Sequence, residues 1–160
     1  MSYGSGSNVH RVLLEALEER GLTPRVVELE QTARSAAEAA RALGCRVEQI
    51  VKSLVFKGGR TGRHVLVLAS GVNRVDERKI SGLVAEPIEK ADAAYVREKT
   101  GFSIGGVPPV GHAEQPETFV DEDLLDEEEV WASAGHTHAV FGLKPLDLLH
   151  VTSGRVISVK

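Results

Sequence analysis

Two apolar runs, Val51 to Lys57 and His64 to Ser70, are separated by the turn-rich segment GGRTG, and this pairing restricts the fold more than any other feature of the chain. Runs of this length, with glycine punctuation between them, predict an antiparallel hairpin deep in a sheet. Both strands are expected to be central. The other elements must then cover this hairpin. Val9, Val12, Leu13, Ala16 and Leu17 recur at helical spacing, which predicts an amphipathic helix from Asn8 to Arg20, stopped by Gly21. Arg25 to Leu29 reads as a short strand, and Ser35 with Glu38 as a capping box for an alanine-rich helix ending at Gly44.

Asp76 to Leu83 and Asp92 to Thr100 each read as a helix opened by an aspartate cap, the second closed by Gly101. Val130 to Ala134, His138 to Leu143 and Arg155 to Val159 have strand character, with a helical turn over Pro145 to Leu149. Helices and strands interleave irregularly, and hairpins are present. The pattern predicts a mixed α/β (α+β) domain around a curved, largely antiparallel or mixed sheet, not a doubly wound parallel one. With 160 residues, 42% of them apolar, the chain can bury one sizeable core, so one domain is expected over 8–160 with a flexible N-terminus over 1–7.

Charge is unevenly distributed. The net charge of −4 argues against a uniformly basic nucleic-acid binder, and DNA is not an expected partner. Glu114 to Val130 holds nine acidic residues and no basic one, so the remainder of the chain is net positive. A face able to touch phosphate is therefore available, with the acidic segment expected as a solvated loop or a repulsive boundary. No apolar stretch is long enough for a spanning helix, and no charged start leads into an apolar run. Membrane insertion and secretion are not expected. The lone Cys45 cannot form an internal disulfide, which suits a reducing cytoplasm, and it lacks a nucleophile signature.

Three places carry candidate chemistry. Thr100 to His112, TGFSIGGVPPVGH, contains four glycines and two adjacent prolines. Pro108 and Pro109 fix φ, while Gly105 and Gly106 allow close backbone approach around Val107. Such a stiff loop can aim N–H groups at a developing oxyanion, or it can be an ordinary turn. Lys52 lies in the apolar run IVKSLVF beside Ser53, and strand alternation puts it on one face with Leu54 and Phe56. A lysine there suggests a pocket floor that meets a phosphate or carboxylate, or a stem snorkelling at a sheet edge. Gly135, His136 and His138 follow a predicted strand; the two histidines at i and i+2 suit a turn with one polar pocket residue better than a metal site, since no third ligand has recognisable spacing.

In combination, the AAEAARALGC helix, QIVKSLVF, VLVLASGVNRVDERKI, TGFSIGGVPPVGH and the AGH near Trp131 resemble the YbaK/prolyl-tRNA synthetase-associated domain family of aminoacyl-tRNA editing proteins, over about Asn8 to Lys160. The resemblance implies a barrel-like mixed α/β fold and a freestanding deacylase that hydrolyses the ester between a wrong amino acid, such as cysteine or alanine, and the 3′-terminal adenosine of tRNA. It implies that Lys52 holds the terminal nucleotide or its phosphate. It further implies that Gly105 to Pro109 position the ester, with Ser53, Gly135 and His136 at the substrate. No metal or other cofactor is implied. The aminoacyl-tRNA 3′ end is the expected ligand, delivered by a synthetase or an elongation factor. Two rival readings stand beside it: a binding module for an adenosine end or small anion, and a metal hydrolase using His112, His136 and His138.

Overall fold

The structure, a computed structural model, describes residues 7–160, with side chains of the first helix described from Arg11 onward. The flexible segment expected over 1–7 lies outside the described residues except for Ser7, and so does the side chain of Val9. The elements are α1 (Ser7–Glu19), β1 (Arg25–Glu28), α2 (Ala36–Leu43), β2 (Val51–Gly58), β3 (His64–Ser70), α3 (Glu77–Val84), β4 (Ile88–Lys90), α4 (Ala93–Thr100), β5 (Glu117–Asp121), β6 (Val130–His136), β7 (Ala139–Leu143), α5 (Pro145–Thr152) and β8 (Arg155–Ile157).

Among the described residues the strands form two sheets, ordered β1-β7-β6 and β4-β2-β3-β5-β8. They do not close into a barrel; a single parallel bridge, Ile50 with Trp131, joins them. The central hairpin forms as expected, with Val51 opposite Ser70 and Lys57 opposite His64. Every residue of β3 is buried. The smaller sheet is antiparallel throughout. The larger one is mixed, because β5 runs parallel to β3 and β8 parallel to β5.

Side-chain alternation then produces the layers. Leu66, Leu68 and Val120 of the larger sheet share one core with Ala132, Ala134 and Phe141 of the smaller sheet and with Leu13 and Leu17 of α1. The opposite face of the larger sheet, with Val65, Val67, Ala69 and Phe119, lies under Ile80 and Val84 of α3. The opposite face of the smaller sheet presents Trp131 to Ala39 and Ala40 of α2. The N-caps are local and form at the residues expected: Ser35 accepts from the Glu38 N–H, Asp76 from Arg78 and Asp92 from Tyr95, but the capping box expected of Ser35 and Glu38 is only half made. Glu38 returns its carboxylate to the N–H of Arg34.

Glu114 to Val130 is not simply a solvated loop. Thr118, Phe119, Val120 and Asp121 are buried in β5, next to the central strand. Phe119 and Val120 gain enough from burial to set the strand's course despite the acids around them. Those acids meet the fold's own cations: Glu114 pairs with Lys99, Glu117 with Arg63, Asp123 with Lys160, Glu127 with Arg46 and Glu129 with Arg25. The net positive charge of the rest of the chain is thus partly engaged internally. β4, only three residues long, also has no counterpart in the expected elements.

Candidate active site

The site begins at an incomplete sheet edge. β4 pairs only with Phe56, Lys57 and Gly58, so β2 has no strand partner beside Lys52 to Leu54 on that side. The Val55 carbonyl on this edge accepts from the Ala91 N–H at 3.3 Å. By strand alternation the Ser53 N–H and carbonyl face the same open edge. A cavity of about 400 Å³ wraps around it, lined by Lys52 through Phe56 without a break. Lys52, Leu54 and Phe56 do share a face, and Ser53 and Val55 the other, but at an open edge both faces reach one cavity. The remaining wall includes Arg74 and Val75, Ala91 and Val96, and Ile104, Gly105 and Val107.

Lys52 is half-buried, and its Nζ donates to the main-chain carbonyl of Asn73. Burial pulls its pKa below the ordinary lysine value, while the charge of Asp121 opposes that shift. The neighbouring Ser53 hydroxyl is buried with no hydrogen-bond partner among the described residues.

The loop after α4 is tied at both ends to that helix: Ala113 donates to the Thr100 carbonyl at 3.0 Å, Glu114 to the Lys99 carbonyl at 2.9 Å, and Phe102 to the Thr100 hydroxyl at 2.9 Å. Its residues divide by role. Gly105 (φ 87°) and Val107 line the cavity. Gly106 is absent from the cavity wall and donates its N–H to the Ser103 carbonyl at 2.9 Å. Pro108 and Pro109 have no N–H and are buried. Ile104, Gly105 and Val107 are the loop residues on the cavity wall, and no main-chain carbonyl among the described residues takes their N–H groups.

His112 supports this loop from behind. Its Nε2 lies 2.6 Å from the Pro108 carbonyl and must donate to it, leaving Nδ1 buried and unpartnered. The ring stacks on His64, with centroids 5.2 Å apart and planes 16° apart. Burial pushes His112 down to about 4, the Pro108 bond resists, and the His64 ring lowers it further. Both rings are neutral near pH 7.

Gly135 and His136 are not part of the cavity wall, and His136 backs the loop at Gly106. Gly135 has φ 94° at an irregularity of the β6–β7 pairing, and His136 follows it against Gly106. His136 and His138 sit edge to face, 4.9 Å apart, around the β6–β7 turn. His112 does not join them: among the described residues no three His, Cys, Asp or Glu side chains are grouped to hold a metal ion. The Cys45 thiol is raised by burial, which suits packing better than nucleophilic attack.

Sequence reading missed Asn73 and the acids behind it. The Asn73 carboxamide donates to Asp121 at 2.8 Å and to Asp123 at 2.7 Å. The only local signal was a polar residue three positions beyond the end of a buried strand.

Comparison with known proteins supplies the family. The family model described as an aminoacyl-tRNA editing domain matches residues 30–151. A crystal structure described as "a putative trans-editing enzyme for prolyl tRNA synthetase" superposes with a TM-score of 0.91 and 46% identity, covering 99% of each chain. A protein of Enterococcus faecalis named "Putative Cys-tRNA(Pro)/Cys-tRNA(Cys) deacylase EbsC" is 28% identical over 78% of this chain and 76% of its own length. A proline–tRNA ligase of Bacillus velezensis is 32% identical over 76% of this chain, which spans only 22% of the ligase. No described helix is long and apolar enough to cross a membrane. Lys52 and the Gly105–Val107 loop sit within the matched span and share one cavity, and the chain belongs to the aminoacyl-tRNA editing domain family.

Proposed function

We propose that this chain, an aminoacyl-tRNA deacylase by family, acts in trans on tRNA-Pro mischarged with a small amino acid, cysteine or alanine, with residues 8–160 working as one domain in the cytoplasm. The observation that supports this reading is the cavity at the open edge of β2, which brings Lys52 and the Ser53 hydroxyl onto one wall with Ile104, Gly105 and Val107 of the loop and with Arg74, Glu77 and Lys90. Lys52 holds the terminal nucleotide through its phosphate or hydroxyl oxygens. Water attacks the ester carbonyl carbon, oriented in part by the tRNA's own 2′-hydroxyl, and the Gly105 and Val107 N–H groups stabilise the oxyanion. The carbon–oxygen bond to the ribose then breaks, and a proton passes to the departing 3′-oxygen. No metal is needed for these steps.

Size alone discriminates weakly, since one methylene is worth about 1–3 kcal/mol. Ser53 supplies a polar contact, while His136 acts through the loop that it backs at Gly106. The names of the similar proteins support the tRNA-Pro reading and a prolyl-tRNA synthetase as the partner that supplies the substrate.

The test is release of labelled amino acid from tRNA-Pro charged with alanine, cysteine, serine or proline, with and without EDTA. Selective release of alanine or cysteine that survives the chelator, with proline spared, is expected. Survival of every ester while charged tRNA still binds would replace the catalytic reading with that of a binding module.

A further inference from the structure

The most acidic part of the chain is linked to Lys52 through Asn73. Asp121 is fully buried, yet it does not touch Lys52. Its oxygens accept from the Ser70 N–H at 3.0 Å, the Asn73 carboxamide at 2.8 Å and the Asp123 N–H at 2.9 Å. Asp123 takes the other proton of the same carboxamide at 2.7 Å and is itself held by Lys160 at 3.1 Å. Asn73, buried, stands between this acidic pair and the lysine, and it presents only its main-chain carbonyl to Nζ.

We propose that Asn73 is a positioning residue for the hydrolysis: Asp121 and Asp123 clamp its carboxamide so that its carbonyl fixes the Lys52 ammonium at the cavity wall. The inference rests on the deacylase reading of this cavity. Its physical logic is charge retention. A direct Lys52–Asp121 pair would neutralise the ammonium, whereas a neutral carbonyl orients it and leaves its full charge and two further N–H donors for the substrate. The clamp also restrains a four-carbon stem that would otherwise sample many rotamers.

A double-mutant cycle tests this. With mischarged tRNA, Asn73→Ala should lower kcat about a hundredfold with little change in KM, the scale of a misplaced reacting group. In a Lys52→Ala background it should add nothing, because the clamped carbonyl acts only through the ammonium that this background lacks. An equal loss in that background, or full activity of Asn73→Ala alone, overturns the proposal. Asp123→Ala, which removes half the clamp at a partly exposed position, gives the same comparison should Asn73→Ala fail to fold.

A readout that does not depend on turnover separates this proposal from the deacylase reading. Acylation of Lys52 Nζ by an amine-reactive reagent, followed by peptide mass spectrometry at fixed pH, should be several-fold faster in folded Asn73→Ala or Asp123→Ala than in the wild type. An equal or slower rate overturns the clamp. Wild-type protein that leaves every ester intact overturns the deacylase reading instead.

Discussion

Gly106 lies against the main chain of His136: a methyl group on its α-carbon would fall 3.1 Å from the His136 carbonyl carbon, 3.2 Å from its α-carbon and 3.3 Å from its nitrogen. Backbone on both sides leaves nothing that can give way cheaply. Gly106→Ala should therefore push the loop away from β6, cost about 1–3 kcal/mol of stability and lower kcat by displacing the neighbouring Gly105 and Val107 N–H groups. Thermal melts and single-turnover deacylation check this, and wild-type kinetics would show that the loop does not need this contact.

Helix α3 carries its glycine in the wrong place for stability. Gly82 sits inside the helix with nothing within 4 Å of an added Cβ, while Ala85, at the C-cap, holds φ 62°. Gly82→Ala should stabilise by about 0.5–1 kcal/mol, and Ala85→Gly by about 1 kcal/mol, because each matches the residue to its backbone angle. Denaturant midpoints measure both, and deacylation should be unchanged in each.

Ser53 offers a sign test of a binding role. A buried hydroxyl without a partner is destabilising by about 1–3 kcal/mol, so Ser53→Ala should leave stability unchanged or raise it. If the hydroxyl meets the substrate, the same variant raises KM severalfold. A loss of stability with unchanged KM would assign Ser53 to packing instead.

The histidine stack predicts acid sensitivity in a defined window. His112 has its folded pKa depressed to about 4 from an ordinary value of 6.5, so the native state binds fewer protons than the unfolded one between these values. Its contribution, about 3 kcal/mol, is fully present above pH 6.5 and is lost as the pH falls through about 4. His64, also lowered by burial, acts with the same sign. Glu86, held down to about 2 chiefly by the Thr61 N–H and hydroxyl and the Arg60 N–H, loses its contribution only below pH 4.5. His112→Asn should flatten the fall in melting temperature between pH 6.5 and 4 and leave the lower limb in place.

What could be read from the sequence follows from how local each determinant is. The β2–β3 hairpin and the Ser35, Asp76 and Asp92 caps depend on neighbours within a few residues, and they form as expected. β5 was hidden because Thr118, Phe119 and Val120 are a short run among acids, and their partner β3 lies some fifty residues upstream. Lys52 and the glycine–proline loop were legible as local oddities of chemistry. Asn73 was not, since its two acid partners are 48 and 50 residues away in sequence. The division within the loop was equally hidden: that Gly105 and Val107 face the cavity while Gly106 engages Ser103 is decided by tertiary packing against His136.

The most direct test of the central claim is the single-turnover rate of amino acid release from mischarged tRNA-Pro by wild-type protein and by Lys52→Ala, with circular dichroism and melting temperature measured alongside. Removing the ammonium should leave the fold intact, since its bond to Asn73 lies at the cavity wall and outside the cores, and should slow release by about 10²–10³-fold. A correctly folded Lys52→Ala that releases the amino acid at the wild-type rate would contradict the account.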